Sequence, residues 1–314
     1  MTTASLVEEI GNGRLQLDLR FRDREGLISA FAVPGPEGWT VVETGPSTCR
    51  DALVVALHDA GIDPGQVSRV FVTHIHLDHA GGMGGLLDLL PRAQFFAHIE
   101  GVPHLLDPSR LVASARRAWG PAADSLWGPI PPVTPARIHA LEGGERFAVN
   151  GGTLEVIATP GHARHHLSFF DTATGDLLVG DSAGVRVAGL WRPRPAIPPP
   201  DLDLDLLFGS LERMAVANPR RLLYTHFGQA KDGVAELQRY RMTVVEWRDA
   251  ALSAARESPT VPHVAAALRS HEEAAAARSG AAVPSEDRGA LVSGYDLAAQ
   301  GLLRYFETRG LLSG

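Results

Sequence analysis

Ten consecutive residues, Thr73-His74-Ile75-His76-Leu77-Asp78-His79-Ala80-Gly81-Gly82, hold the densest chemistry in this 314-residue chain. Four side chains able to bind a metal, His74, His76, Asp78 and His79, fall within six positions. In an extended segment, residues two apart point the same way, so His74 and His76 can reach one ion. A turn after them can swing Asp78 and His79 toward a second position. Imidazole with carboxylate suits zinc, iron or manganese better than calcium, which prefers all-oxygen sites. Three further ligand-type residues lie downstream: His162 after Thr159-Pro160-Gly161, Asp181 after Gly180, and His226 after Thr225.

Each of these groups follows an apolar run with strand character. Residues 67–73 are β-branched and apolar and lead into His74. Residues 154–158 lead toward His162, 177–179 toward Asp181, and 221–224 toward His226. Strand ends along one sheet edge are a rigid way to converge ligands.

The remaining elements are read around these strands. Residues 27–33 and 39–43 read as strands across a Pro/Gly turn at 34–38. Residues 51–60 have helical spacing and stop at Gly61. A short helix is expected over 81–90, closed by Pro91, and a strand over 93–98. Residues 111–133, rich in Ala, Trp and Pro without a clear period, read as an irregular, pocket-lining insertion. Residues 137–170 read as a strand meander with turns at Gly143-Gly144 and Asn150-Gly151-Gly152, and 176–179 as a short strand. A stiff proline-rich loop is expected at 192–200, a helix over 202–217 and a strand over 221–225. From Val234 onward Ala, Glu, Arg and Leu dominate, and helix is expected to the end with a break near 279–289. Residues 294–310, with Tyr295, Leu302, Tyr305 and Phe306, have the spacing of a helix that docks on a core.

Composition narrows the function classes. With 45% hydrophobic and 21% charged residues, the chain falls among ordinary globular proteins. The net charge of -7 weighs against nucleic acid as a partner. Cys49 is the only cysteine, which excludes a disulfide framework and a Cys-x-x-Cys zinc site. The first ten residues carry Glu8 and Glu9 and no signal-peptide core, and no apolar run is long enough for a bilayer. A cytoplasmic protein without a membrane partner is expected.

Over residues 27–228 the sequence resembles the metallo-β-lactamase superfamily of hydrolases and oxidoreductases. The motifs stand in that family's order, with all seven metal-ligand positions filled. The resemblance implies an α+β fold: a four-layer αβ/βα sandwich of two facing mixed sheets, helices outside, metals at one edge. Residues 1–234 would form this catalytic domain and 235–314 a C-terminal helical extension. His74, His76 and His162 would hold one ion, Asp78, His79 and His226 a second, and Asp181 would bridge them. The implied cofactor is two divalent ions, zinc first, with iron and manganese open.

Two such ions share a water or hydroxide whose pKa falls to ~7 in the zinc case. One ion polarises the substrate oxygen, and Asp78 doubles as a proton acceptor near the leaving group. His166 and Ser168 match a frequent continuation of the third motif and, with His165, are expected to orient ligands or line the pocket. The implied activity is hydrolysis of an ester, thioester or lactone, with glyoxalase-II-like thioesterases and lactonases as nearest models. A single-iron sulfur dioxygenase and a phosphodiesterase or nuclease of the same superfamily are the alternatives. The expected partner is a small-molecule substrate, and homodimerisation stays open.

Two departures stand out. Glu43-Thr44-Gly45 replaces the frequent Asp-Thr-Gly, and Ala163-Arg164-His165 replaces a Thr-Pro-Gly-like turn. Blander readings cover other residues. Gly180 to Gly184 matches the Gly-x-Ser-x-Gly elbow around Ser182, but that motif needs a following helix, and 185–190 reads as strand. Gly81 to Gly85 lacks the Gly-Lys-Ser/Thr of a phosphate loop. His58, His98, His104, His139, His263 and His271 read as surface or ordinary hydrogen-bonded residues. Trp119, Trp127 and Trp191 read as partly buried anchors, and Arg186, Arg192 and Arg194 as the flanks of a loop.

Overall fold

The computed structural model describes residues 6–281 and 288–312. The chain packs into two units, Met1–Ala158 with His165–Leu178, and Thr159–Arg164 with Val179–Gly314.

The first unit opens with β1 (Val7–Gly11), β2 (Arg14–Asp18), β3 (Ser29–Gly35) and β4 (Gly38–Val42), then α1 (Arg50–Asp59) and β5 (Val67–Phe71). It continues through α2 (Leu77–Ala80), β6 (Gln94–His98), α3 (Val102–Leu106), α4 (Ser109–Trp119), α5 (Ala123–Trp127) and β7 (Ile138–Leu141). It closes with β8 (Arg146–Val149), β9 (Gly152–Ala158), β10 (Leu167–Asp171) and β11 (Asp176–Leu178). Strands β1 to β7 form a seven-stranded sheet in chain order. Its first three pairings are antiparallel and its last three parallel. Strands β8 to β11 pair as an antiparallel meander. The β1–β2 hairpin turns at Asn12 and Gly13, both with positive φ (53° and 72°), as a primed two-residue turn requires.

Aromatic packing joins the two strand sets of this unit. Phe71 on β5 stacks on Phe96 of β6 at 4.6 Å and meets Phe147 of β8 at 4.8 Å and Phe169 of β10 at 5.4 Å. Arg14 on β2 reaches Asp171 at the end of β10, Nε to Oδ2 2.8 Å, with both side chains buried. Its other guanidinium nitrogens donate to the carbonyls of Asn12 and Asn150 at 2.8 and 2.7 Å. A buried ion pair is tolerated when its remaining protons are satisfied in this way.

Three expectations need correction in this unit. The helix expected over 81–90 does not form: α2 ends at Ala80, and the segment holds turns and a single 3-10 turn, Gly84–Leu86. Glycine is a poor helix former, and these glycines let backbones approach: a Cβ at Gly82 would sit 3.2 Å from the Thr44 carbonyl. Residues 111–133 are not irregular throughout, since α4 and α5 occupy much of the segment. Two of the apolar positions of α4 are Ala115 and Ala118, which favour helix but dilute the periodic signal. Within the expected meander of 137–170, β7 instead pairs parallel with β6 in the seven-stranded sheet.

The second unit holds α6 (Leu204–Val216), β12 (Arg221–Leu223), β13 (Gln229–Lys231), α7 (Gly233–Glu257), α8 (Val261–Arg278) and α9 (Tyr295–Thr308). The Asp203 side chain caps α6 by accepting from the amides of Asp205 and Leu206. Trp247 and Tyr240 of α7 are fully buried, and Tyr295 of α9 stacks on Trp247 at 5.4 Å. Arg192 clamps α7 and α8 through Glu246 (2.7 Å) and Glu272 (2.8 Å). Burial alone would raise the Glu272 carboxyl, but the Arg192 hydrogen bonds and charge outweigh it and hold it below the usual range.

The strand expected over 185–190 does not form; only an isolated Val185 to Arg194 bridge is present. The expected break near 279–289 begins where α8 ends, and residues 282–287 lie outside the described residues. No described helix is long and apolar enough to cross a membrane.

Candidate metal centre

Four candidate ligands, His74, His76, Asp78 and His79, belong to the first unit, where β4 and β5 position them. These strands run parallel with Val42 opposite Phe71, so Glu43 and Thr73 leave the sheet side by side. Glu43 is fully buried with φ of 75°, and its amide donates to the Phe71 carbonyl at 2.8 Å. Its carboxylate Oε1 accepts from the Thr73 hydroxyl at 2.6 Å and lies 2.9 Å from His79 Nδ1. Thr44 grips the same residue from behind, its hydroxyl donating to the His79 carbonyl at 2.8 Å. The glutamate that departs from the family pattern therefore supports the metal-type loop directly.

These contacts fix which ring nitrogen carries the proton. A carboxylate only accepts, so His79 donates from Nδ1 and presents a lone pair at Nε2. Thr73 spends its single proton on Glu43, so its oxygen accepts from His74 Nδ1, 3.0 Å away. His74 therefore also presents its lone pair at Nε2. His76 Nδ1 lies 2.9 Å from that nitrogen, and the His74 and His79 ring centroids are 4.0 Å apart. Asp78 is half-buried with Oδ2 3.9 Å from His79 Nε2. In both His74 with His76 and Asp78 with His79, ligand atoms lie within 4.8 Å of each other.

The histidines at the start of β10 join this group. The Leu167 amide donates to the Thr73 carbonyl at 2.7 Å, which draws the β10 entry to the end of β5. His166 is fully buried and stacks on His74 at 4.9 Å; His165 stands 6.2 Å from the same ring. Ser168 is buried in β10 opposite Ile157.

The second unit gathers His162, Asp181 and His226. The turn before His162 packs closely on α6: Gly161 has φ of 138°, a Cβ there would overlap the Leu207 backbone, and its carbonyl accepts from the Asp203 amide. His162 donates from Nδ1 to the Ala196 carbonyl at 2.8 Å, which again leaves the lone pair on Nε2. Ala196 is held in turn by α7, its amide donating to the Tyr240 hydroxyl at 3.4 Å. Burial pushes the Tyr240 phenol far above its ordinary range, against a smaller lowering by the Ala196 hydrogen bond. His226 sits in the β12–β13 turn and is fully buried, its carbonyl accepting from the Arg186 amide at 3.2 Å. Asp181 presents one oxygen to each imidazole: Oδ2 is 3.6 Å from His162 Nε2 and Oδ1 is 3.5 Å from His226 Nε2.

The donor set suits first-row divalent ions. Three imidazoles hold the tautomer with a lone pair on Nε2, each fixed by an oxygen acceptor at Nδ1, which is how metal-binding histidines are oriented. Carboxylates stand beside them in both units. Sequence reasoning named each of these candidate residues. It did not find the Ala196 carbonyl or Tyr240, because a backbone acceptor leaves no residue-type signal.

The remaining candidates are engaged elsewhere. The Ser182 hydroxyl is buried and donates to the Thr159 carbonyl at 2.8 Å, and turns rather than a helix follow it. Arg186 pairs with Glu236 at 2.8 Å, and Arg194 donates to the Ser293 carbonyl at 3.2 Å. Trp127 is buried on Phe21, and Trp119 packs edge-on against Trp127 with its own surface exposed. His98 accepts from the Glu100 amide, His139 meets Gln94, and His271 faces Glu246, all ordinary partners.

Comparison with known proteins agrees with this chemistry. The sequence profile of the metallo-beta-lactamase superfamily matches residues 23–226. The chain is similar to a metallo-beta-lactamase fold-containing protein of Sulfurisphaera tokodaii, 27% identical over 215 residues, 64% of this chain and 79% of that protein. It is similar to a hydroxyacylglutathione hydrolase of a Synechococcus strain, 28% identical over 235 residues, 68% of this chain and 79% of that enzyme. Among solved structures, a metallo-beta-lactamase family protein from Thermus thermophilus is similar with a TM-score of 0.65 and 23% identity, covering 90% of this chain and 89% of that one.

Proposed function

Because the chain belongs to the metallo-β-lactamase superfamily, we propose that it is a dinuclear metal-dependent hydrolase that cleaves an ester, thioester or lactone. Its fold is the α+β sandwich of that superfamily with a C-terminal helical region. The proposed ligands of one ion are His74, His76 and His162, and of the other Asp78, His79 and His226. The observation that carries the dinuclear reading is Asp181, whose two oxygens address two different imidazoles at 3.6 and 3.5 Å. A carboxylate that turns one oxygen to each of two imidazoles is placed to be shared between two ions. The similarity to a hydroxyacylglutathione hydrolase, an enzyme named for a thioester substrate, supports the acyl-transfer class.

When bound, the two ions would supply a Lewis acid and a water acidified enough to be a nucleophile at neutral pH. The chain's own residues do the rest. Glu43 and the Ala196 carbonyl hold the protons of His79 and His162 on Nδ1 and so orient each ring. Asp78, half-buried with Oδ2 3.9 Å from His79 Nε2, would be the proton acceptor for the leaving group. We assign catalysis to residues 1–234 and read 235–314 as a helical extension that supports it, through the Tyr240 to Ala196 to His162 chain. The partner is a small-molecule substrate; zinc is the first candidate ion, ahead of iron and manganese.

The test is a panel of thioesters, lactones, β-lactams and phosphodiesters assayed with the metal-loaded protein. Turnover of an acyl substrate is expected, abolished by a chelator and lowered about 100-fold or more in His226→Ala. Phosphodiester cleavage alone, or oxygen uptake with one iron per chain, would contradict the proposal.

A further inference from the structure

We propose that His165 is a substrate-contacting residue, which donates its Nε2 proton to a substrate oxygen beside His74 and His76; this rests on the hydrolase reading above. The Ile75 amide lies 3.4 Å from His165 Nδ1. A backbone amide only donates, so Nδ1 accepts, and the proton of the neutral ring sits on Nε2. That is the opposite tautomer to His74, His79 and His162, whose Nδ1 atoms are the donors. Three rings present a lone pair suited to a cation, and His165 presents a proton suited to an anion or a carbonyl oxygen.

Its position matches that role. The His165 centroid is 6.2 Å from the His74 ring, nearly parallel at 13°, and 6.0 Å from the His76 ring at 90°. It retains 8% exposure, whereas His74 keeps 1% and His166 none. Gly101 makes room for this contact. A Cβ there would press to 2.7 Å from Ile75 Cγ2 and stand 3.8 Å from His165 Cβ, disturbing the residue whose amide holds the ring. The ligand class is an acyl compound whose oxygen gains negative charge as the bond to its leaving group breaks. A donor held beside such an oxygen would stabilise the transition state more than the ground state.

The experiment compares the metal-loaded wild type with His165→Phe, which keeps a ring without a donor, and His165→Gln, which keeps an amide donor at similar reach. Three readouts are taken. Long-range proton–nitrogen NMR of the zinc-loaded wild type should place the His165 proton on Nε2; a proton on Nδ1 overturns the proposal. Acetate, a stand-in for the product carboxylate, should bind about tenfold more weakly to His165→Phe than to wild type and His165→Gln; equal affinity overturns it. On the best acyl substrate, kcat/KM should fall about 100-fold in His165→Phe and recover to within about tenfold of wild type in His165→Gln. Metal content and thermal midpoint should be those of the wild type in both variants, and metal lost along with activity would mark a ligand instead and overturn the proposal. If the hydrolase reading fails, wild type turns over nothing on the panel, while the NMR and acetate readouts still decide the role of His165.

Discussion

A single substituted acid shows how much one residue can organise. Glu43 stands where the superfamily often has aspartate, and its longer chain reaches both the Thr73 hydroxyl and His79 Nδ1. Through Thr73 it also sets the tautomer of His74. Glu43→Gln should therefore weaken metal binding about 10- to 100-fold, measured by competition with a chromophoric chelator; unchanged affinity would mean that the carboxylate does not orient the rings. Cys49 is a different kind of residue. Burial pushes its thiol up to about 12 from 9.0. The folded chain then keeps a proton that the unfolded chain loses. Its contribution to stability is complete below pH 9.0 and falls as pH rises toward 12. Cys49→Ala should lose less stability than wild type between these limits in urea titrations; parallel curves would refute the buried-thiol account. At this scale the candidate residues were legible in the sequence, because His and Asp at turn positions after apolar strands are few.

Among the elements, legibility followed the strength of the apolar signal. The buried strands β5, β6, β9 and β12 show as apolar or β-branched runs. The β1–β2 hairpin was not assigned, although Asn12-Gly13 between alternating residues is a hairpin signal. Helices α4 and α5 were hidden because their faces rest on alanine and on tryptophans that do not repeat at helical spacing. The parallel placement of β7 was also out of reach, because pairing partners distant in sequence leave no local mark. Arg14 belongs with these long-range features, since its partner Asp171 is 157 positions away. Arg14→Ala would leave that carboxylate buried and unpaired, so urea denaturation should show a loss of about 3–5 kcal/mol. A loss within experimental error would mean that the pair contributes nothing to joining β2 and β10.

For the molecule as a whole, the account rests on a ligand set spread along the chain from His74 to His226. Were the proposed ligands, so far apart in sequence, to bind ions, they would do so as a set only in the folded chain, and the ions would add their binding free energy to folding. The most direct measurement is the count of ions per chain in the purified, natively folded protein, by elemental analysis and native mass spectrometry, for wild type and Asp181→Ala. The account predicts two divalent ions in the wild type and a loss of at least one when the shared carboxylate is removed. A wild type that takes up one ion or none under metal-replete conditions, or an Asp181→Ala variant that keeps both, would contradict it.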